Sequence, residues 1–384
     1  MKTKLLFVID NLEFGGGERV FSQIINGLTG KDYDIFLASN PGTEMYQSID
    51  RSVVRCVPLN FSKRTNVSSL KALVRLIRQE GIDIVHGQGG RAEFYARTAC
   101  RKAGSAKYVS TIAMPVEGYD VSTLRRSIYC FFDRVTERYV DRFIVVSDAL
   151  KRQMIEGHGV PAEKVVRIYN GIETRRYDSA KGADGGSRFR ADMGFRPEDR
   201  LVGAVGRMVW QKGFEYLIRG IPDVLKACPR ARFLFVGDGP LIESLQALSS
   251  RLGLGGSVFF TGFQRDIRDI LSALDLCVIP SLREGFPMVT LEAMAMARPI
   301  VATNIDGITE QMTDGREGFL VPPEDPTALS RAISAVLLDP TRAQEMGRQG
   351  RLTVEHKFPV EKMVAETQKV YQSLIRSSYD TEVR

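Results

Sequence analysis

Cysteine is scarce in this chain: five residues in 384, at Cys56, Cys100, Cys130, Cys228 and Cys277, all far apart and with no Cys-x-x-Cys. Histidine is scarcer, with only His86, His158 and His356, none at metal-ligand spacing from a cysteine. These shortages exclude a disulfide framework and a structural zinc site, and they fit a reducing cytoplasm. No run of ~18 uncharged apolar residues exists, which excludes a spanning helix. The N-terminal Met1 to Ile9 has neither the length nor the small-residue cleavage pattern of a signal peptide and reads as a buried strand. No G-x-G-x-x-G follows that strand, and the second strand runs into Ser39-Asn40 rather than an acid. A dinucleotide-dependent dehydrogenase is therefore disfavoured. No nucleic-acid-binding motif and no aromatic platform is present, so no nucleic-acid partner is expected. No DxD-like carboxylate cluster ends a strand, so no metal and no cofactor is expected.

What is present is a globular composition, 43% hydrophobic and 26% charged, at a length that suits two domains. One rhythm recurs: a short apolar run, a turn, then a helical stripe. The runs Leu5-Leu6-Phe7-Val8-Ile9, Ile35-Phe36-Leu37, Ile82-Asp83-Ile84-Val85, Tyr108-Val109-Ser110 and Phe143-Ile144-Val145-Val146 lack polar alternation. Such strands are buried on both faces, as parallel strands between helices are. The rhythm breaks at residues 174–200, where Lys181-Gly182-Ala183-Asp184-Gly185-Gly186-Ser187 reads as a linker ending in a short helix. It resumes with Leu201-Val202-Gly203-Ala204-Val205 and continues through Ile300-Val301-Ala302. The expected fold class is α/β: two Rossmann-like, doubly wound parallel-sheet domains facing across a cleft. The expected divisions are 1–173, a linker over 174–200, 201–356, and a last helix over 357–384. Ligands would lie at the carboxyl ends of the sheets.

The formal net charge of +7 is uneven. Residues 1–173 hold 25 Lys and Arg against 19 Asp and Glu, and the rest 28 against 27. A basic first half suits an anionic partner. Lys63, Arg64, Lys71, Arg75 and Arg78 flank a stripe of Leu70, Leu73, Val74 and Ile77. Arg125, Arg126, Arg134 and Arg138 flank Leu124, Ile128, Phe131, Phe132 and Val135. Each stripe reads either as a core-facing side under a solvated basic face or as a surface for peripheral contact with an anionic membrane.

Three loops at predicted strand ends carry chemistry. Gly15-Gly16-Gly17 lets backbone N–H groups approach an anion at a helix start, or is a plain tight turn. Gly206-Arg207-Met208-Val209-Trp210-Gln211-Lys212-Gly213 supplies a fork and a point charge suited to a diphosphate, or two solvated cations. Glu284-Gly285-Phe286-Pro287-Met288-Val289-Thr290-Leu291-Glu292 sets two carboxylates across a strand-to-helix turn, where they can accept from vicinal hydroxyls. The bland reading of that pair is a helix-start acid and a surface glutamate.

Taken together with Asn170-Gly171-Ile172-Glu173 and Val236-Gly237-Asp238-Gly239-Pro240, these motifs resemble retaining glycosyltransferase family 4, of GT-B fold, over essentially the whole chain. The resemblance implies a metal-independent, hexosyltransferase-type enzyme that moves a sugar from a nucleotide-sugar donor, a UDP-sugar first among them. The acceptor would be a saccharide or a lipid-linked one, in cell-surface polysaccharide or glycolipid synthesis at the inner face of the membrane. By position, Gly16 and Gly17 resemble the loop facing the donor diphosphate, and Gly206, Arg207 and Lys212 the one that neutralises it as it leaves. Glu284 resembles the acid on the transferred sugar, with the backbone of Phe286, Pro287, Met288 and Val289 beside it, and Glu292 the acid on the ribose. Phe263 resembles the wall by the base, and the last helix, 357–384, resembles one that crosses back to pack on the first domain. His86 resembles a family histidine at a strand end near the donor, or is a buried structural histidine.

The pattern departs at Gln88, where a second histidine is usual, and at Ala113, where Thr-x-His is usual. The second departure keeps open a catalytically silent sugar-nucleotide-binding protein of the same fold. A glycoside hydrolase using Glu284 and Glu292 is a further alternative, opposed by the phosphate-suited Arg207 and Lys212.

Overall fold

The computed structural model describes residues 2–10, 15–30, 32–61, 67–114, 123–177 and 179–382. The chain forms two compact units. The first comprises Met1–Gly171 with Val360–Arg384, the second Ile172–Pro359.

In the first unit the chain alternates strand and helix: β1 (Thr3–Ile9), α1 (Gly16–Leu28), β2 (Tyr33–Ser39), α2 (Glu44–Gln47), β3 (Val54–Pro58), α3 (Val67–Glu80) and β4 (Ile84–Gln88). It continues with α4 (Gly90–Ala103), β5 (Lys107–Ile112), α5 (Thr123–Glu137), β6 (Arg142–Val145), α6 (Asp148–Arg152) and β7 (Val165–Arg167). The seven strands are parallel in the order β3-β2-β1-β4-β5-β6-β7. Leu5 through Ile9 are buried without alternation, as strands covered on both faces must be. The sequence rhythm missed β3 and β7. The first is a partly exposed edge strand ending in proline, and the second has only three residues.

The second unit holds α7 (Ser179–Asp192), β8 (Arg200–Val205), α8 (Phe214–Ala227), β9 (Ala231–Val236), α9 (Ile242–Arg251) and β10 (Val258–Gly262). Then come α10 (Arg268–Ala273), β11 (Leu276–Ile279), α11 (Met288–Ala295), β12 (Ile300–Thr303), β13 (Gly318–Val321), α12 (Pro326–Leu338) and α13 (Pro340–Lys357). Its six parallel strands run β10-β9-β8-β11-β12-β13. The last helix, α14 (Val360–Glu382), belongs to the first unit, where it packs on α1 with Val364 against Gly27. Its Tyr371 and Leu374 are buried there.

Residues 174–200, expected as a linker, lie inside the second unit, which starts at Ile172 and ends at Pro359 rather than at 201 and 356. Helix α7 lies along α10. A Cβ on Gly186 would come within 2.8 Å of the Ser272 backbone. Glycine, a poor helix former, is there because the two helices approach so closely. Arg190 fastens the far end, donating to the Ala273 carbonyl at 2.8 Å and to Asp275 at 2.7 Å. The entry and exit of this unit are tied together by the Ile172 amide donating to the Phe358 carbonyl at 2.9 Å.

In both sheets the strand order reverses once, between β1 and β4 and between β8 and β11. Loops diverge there at the carboxyl edge and leave a crevice, the usual ligand position in doubly wound sheets. The Gly15-Gly16-Gly17 loop follows β1, and the Arg207–Lys212 and Glu284–Glu292 loops follow β8 and β11, so all three lie at these two places.

Candidate active site

At the switch point of the second sheet, β8 leads into Gly206 and Arg207 and β11 leads into residues 280–287. The two loops meet through Gly213, whose left-handed φ of 60° and missing side chain allow the Pro280 carbonyl to lie where a Cβ would be 2.1 Å away. That contact brings Lys212 over Gly206 and against the acid from the neighbouring loop. Lys212 Nζ lies 2.6 Å from Glu284 Oε1, with the Glu284 side chain only 7% exposed. The Ser281 hydroxyl donates to the same Oε1 at 2.7 Å. Thr303 on β12 in turn donates to the Ser281 carbonyl. Glu284 is thus held by a cation and a hydroxyl, and the lysine is held by the acid.

Arg207 lies on the same loop with an exposed side chain, and the loop is pinned to its neighbour by Met208 N–H donating to the Asp238 carbonyl at 2.8 Å. Pro287 precedes α11, so the unpaired amides of Met288 and Val289 form the positive end of a helix beside the Glu284 loop. Phe286 is buried, edge-on to Phe358 with ring centres 5.4 Å apart. Met288 and Val289 are buried too. Glu292 sits just past the first turn of α11, 3% exposed, and accepts from the Tyr177 hydroxyl at 2.9 Å. Phe263 follows β10 with its ring 58% exposed, available to a planar partner.

At the switch point of the first sheet, Gly16 and Gly17 open α1, and Glu18 caps it by accepting from the Gly15 N–H at 2.7 Å. A Cβ on Gly17 would stand 2.7 Å from Gln88 Nε2, so the start of α1 sits directly against the side chain that ends β4. Gln88 is 5% exposed and its Oε1 is buried without a hydrogen-bond partner. Asp10, at the end of β1, pairs with Arg91 at 2.9 Å. Burial raises the Asp10 carboxyl above its usual range, with Arg91 opposing. The sequence reading passed over Asp10 and Arg91, which carry no motif, and over Ser281 and Tyr177.

His86 needs correcting. It lies in the core of the first unit, 1% exposed, with one ring nitrogen 2.5 Å from the Tyr371 hydroxyl and the other 2.7 Å from Thr111 Oγ1. Phe7 and Phe21 pack against it with ring centres 5.5 and 5.0 Å away. Burial pushes its pKa down to about 3. Both nitrogens are engaged inside the protein and the ring is neutral, which favours the structural alternative over a contact with the donor. Gln88, two residues on, is the side chain of β4 that reaches the sheet edge.

The basic helices also divide. On α3, Leu73 and Ile77 are buried as expected of a core-facing stripe. On α5 the stripe faces outward: Phe131 is 63% exposed, with Phe132 and Val135 also exposed beside Arg134 and Arg138. Helix α5 turns its acids inward instead. Asp133 meets the fully buried Arg97 at 2.6 Å and Glu137 meets His158 at 2.7 Å. Lys63 and Arg64 lie outside the described residues, as do the side chains of Leu124, Arg125, Arg126 and Ile128.

Comparison with known proteins agrees with this architecture. Residues 199–339 match the family described as "Glycosyl transferases group 1" and residues 14–176 the one described as "Glycosyltransferase Family 4". The chain is 30% identical to the alpha-D-kanosaminyltransferase of Streptomyces kanamyceticus over 71% of its own length and 72% of that protein's. It is 26% identical to the UDP-Gal:alpha-D-GlcNAc-diphosphoundecaprenol alpha-1,3-galactosyltransferase of Escherichia coli over 94% of each. Among solved structures, Anabaena Alr3699/HepE in complex with UDP-glucose superposes with a TM-score of 0.82 at 22% identity, covering 96% of this chain and 99% of that one. The chain belongs to glycosyltransferase family 4 and has the GT-B fold. Among the described residues no helix is long and apolar enough to cross a membrane.

Proposed function

We propose that this glycosyltransferase is a retaining, metal-independent hexosyltransferase that uses a UDP-sugar donor and a lipid-linked saccharide acceptor. The observation that carries the reading is the group Lys212–Glu284–Ser281 at the switch point, with Arg207 on the same loop. A nucleotide-sugar reaction needs positive charge where the diphosphate leaves. Lys212 and Arg207 supply it, in the role a divalent cation takes in metal-dependent enzymes. Glu284 holds the ammonium in place and offers its second oxygen to a sugar hydroxyl, while the first amides of α11 add further donors. Glu292 accepts from the ribose, and Phe263 flanks the base. In the chemical step the bond from the anomeric carbon to the donor phosphate oxygen breaks. The acceptor oxygen bonds to the same face of that carbon, and its proton passes to the departing phosphate oxygen. No enzyme nucleophile is needed.

The donor choice is supported by UDP-glucose in the Anabaena structure and by the UDP-galactose named for the E. coli relative. That relative's diphosphoundecaprenol acceptor supports a lipid-linked substrate, and the exposed Phe131, Phe132 and Val135 among arginines on α5 suit peripheral contact with an anionic, cytoplasmic membrane face. The test is a screen of UDP-, GDP- and ADP-sugars with lipid-diphosphate saccharide acceptors, the product anomer being read by NMR. Transfer with inversion would refute the mechanism. Donor binding with neither transfer nor hydrolysis would support the silent binding protein that Ala113 raises.

A further inference from the structure

Glu292, read above as the ribose carboxylate, already has a partner inside the second unit. The Tyr177 hydroxyl donates to its Oε1 at 2.9 Å, with the carboxylate 3% and the tyrosine 8% exposed. Tyr177 ends a short turn, residues 174–177, that begins soon after the chain enters this unit.

That turn is fixed by its backbone. Tyr177 N–H donates to the Thr174 carbonyl at 3.0 Å. Arg351 on α13 donates to the carbonyls of Thr174 at 3.3 Å and Tyr177 at 2.5 Å, and also to the carbonyl of Ala295 at the end of α11. Its Nε is held by Glu355 at 2.6 Å. One guanidinium therefore clamps both the turn that carries Tyr177 and the helix that carries Glu292, and so sets the spacing between them. The phenol is neutral, so it fixes the carboxylate without cancelling its charge. A carboxylate has about four acceptor sites, so a single donor on Oε1 does not by itself exhaust it.

We propose that Tyr177 is a positioning residue, which holds Glu292 in the rotamer that receives the nucleotide ribose. The proposal rests on the reading of Glu292 as the ribose acid. Once its carboxylate is held, ribose hydroxyls meet a preorganised acceptor. Without the phenol, part of the binding free energy goes into ordering that side chain.

The experiment uses the full chain and titration calorimetry. The probe is whichever of UDP, GDP and ADP binds tightest, set against its 2′-deoxy and 3′-deoxy forms. The wild type should prefer the ribonucleotide about tenfold or more over the weaker deoxy form, the size expected for a hydroxyl on a charged acceptor. Tyr177→Phe keeps the ring. It should shrink that ratio about threefold or more, wholly through weaker ribonucleotide binding, while deoxynucleotide affinity stays put. In turnover it should raise KM for the donor and leave kcat unchanged, the pattern of lost uniform binding. Glu292→Gln should abolish the preference, and adding Tyr177→Phe to it should change nothing further. If Glu292→Gln does not fold, the deoxynucleotides supply the same leg of the cycle.

A preference that survives in Glu292→Gln overturns the ribose reading itself, as does a wild type that binds none of the three nucleotides. A preference lost in Glu292→Gln but intact in Tyr177→Phe overturns the positioning role alone. So does equal weakening of ribo and deoxy forms, the mark of a merely structural tyrosine, and so does tighter ribonucleotide binding, the mark of a competitor.

Discussion

Replacing Lys212 with methionine keeps most of the side chain's length and removes its charge. Two consequences can be sized. The leaving diphosphate loses a cation, and removing one preorganised charge stabiliser typically costs ~3 kcal/mol of transition-state energy, or about 10²-fold in rate. Glu284, with its side chain only 7% exposed, loses one of the two donors on Oε1 and keeps Ser281. An under-satisfied buried acceptor costs about 1–3 kcal/mol of stability. For a unit of this size that lowers Tm by roughly 2–4 °C per kcal/mol, so the variant stays folded at assay temperature. The measurement is kcat/KM from nucleoside-diphosphate release, with thermal melting as a control. Lys212→Met should lose about 10²-fold while its melt remains cooperative. Lys212→Arg keeps charge but not the point geometry and should fall between the two. In a Lys212→Met, Glu284→Gln double variant the losses should be far from additive, because each group holds the other. A kcat/KM within fivefold of wild type in Lys212→Met would refute the diphosphate role.

Arg207→Ala should lower kcat/KM by ~10²-fold with an unchanged melt, since its side chain is exposed. Transfer should survive excess EDTA, and abolition with rescue by Mg²⁺ or Mn²⁺ would overturn the metal-independent reading. His86 makes stability pH-dependent. Its pKa in the fold is about 3 against an unfolded value of 6.5, so its contribution is whole above 6.5 and is lost as pH falls from there toward 3. The loss at pH 5 is about 2 kcal/mol. Glu93, which burial pushes up to about 7 against the pull of Arg97, acts in the opposite sense over much of that window. The reading is therefore the difference in Tm between wild type and His86→Gln, which should shift in favour of His86→Gln as pH drops from 7 to 5. Phe131→Glu should weaken cosedimentation with anionic vesicles severalfold while leaving turnover on a soluble acceptor intact, and equal cosedimentation would remove α5 from the membrane reading.

The parallel α/β architecture was legible because unalternating strands such as Leu5–Ile9, repeated in alternation with helical stripes, are typical of sheets that helices cover on both faces. The motif loops were legible because strand-end glycines, cations and acids act through local backbone geometry. Helix α7 was not. Its glycines read as a linker, and they form a helix only because α10 lies within van der Waals reach of Gly186. The α5 stripe misled in the opposite way: periodicity marks a face as apolar and is silent on whether anything covers it.

From the sequence alone came the fold class, the family and the motif loops at the strand ends, since each is carried by short stretches of chain. Tertiary structure alone decided which stretches meet. Lys212 reaches Glu284 across 72 residues because β8 and β11 are neighbours in the sheet. His86 is withdrawn from the site by Tyr371, 285 residues away on a helix that returns to the first unit. The physical reason is common to both. Strand order and helix return are set by the burial of whole faces against one another, and no local pattern encodes the partner.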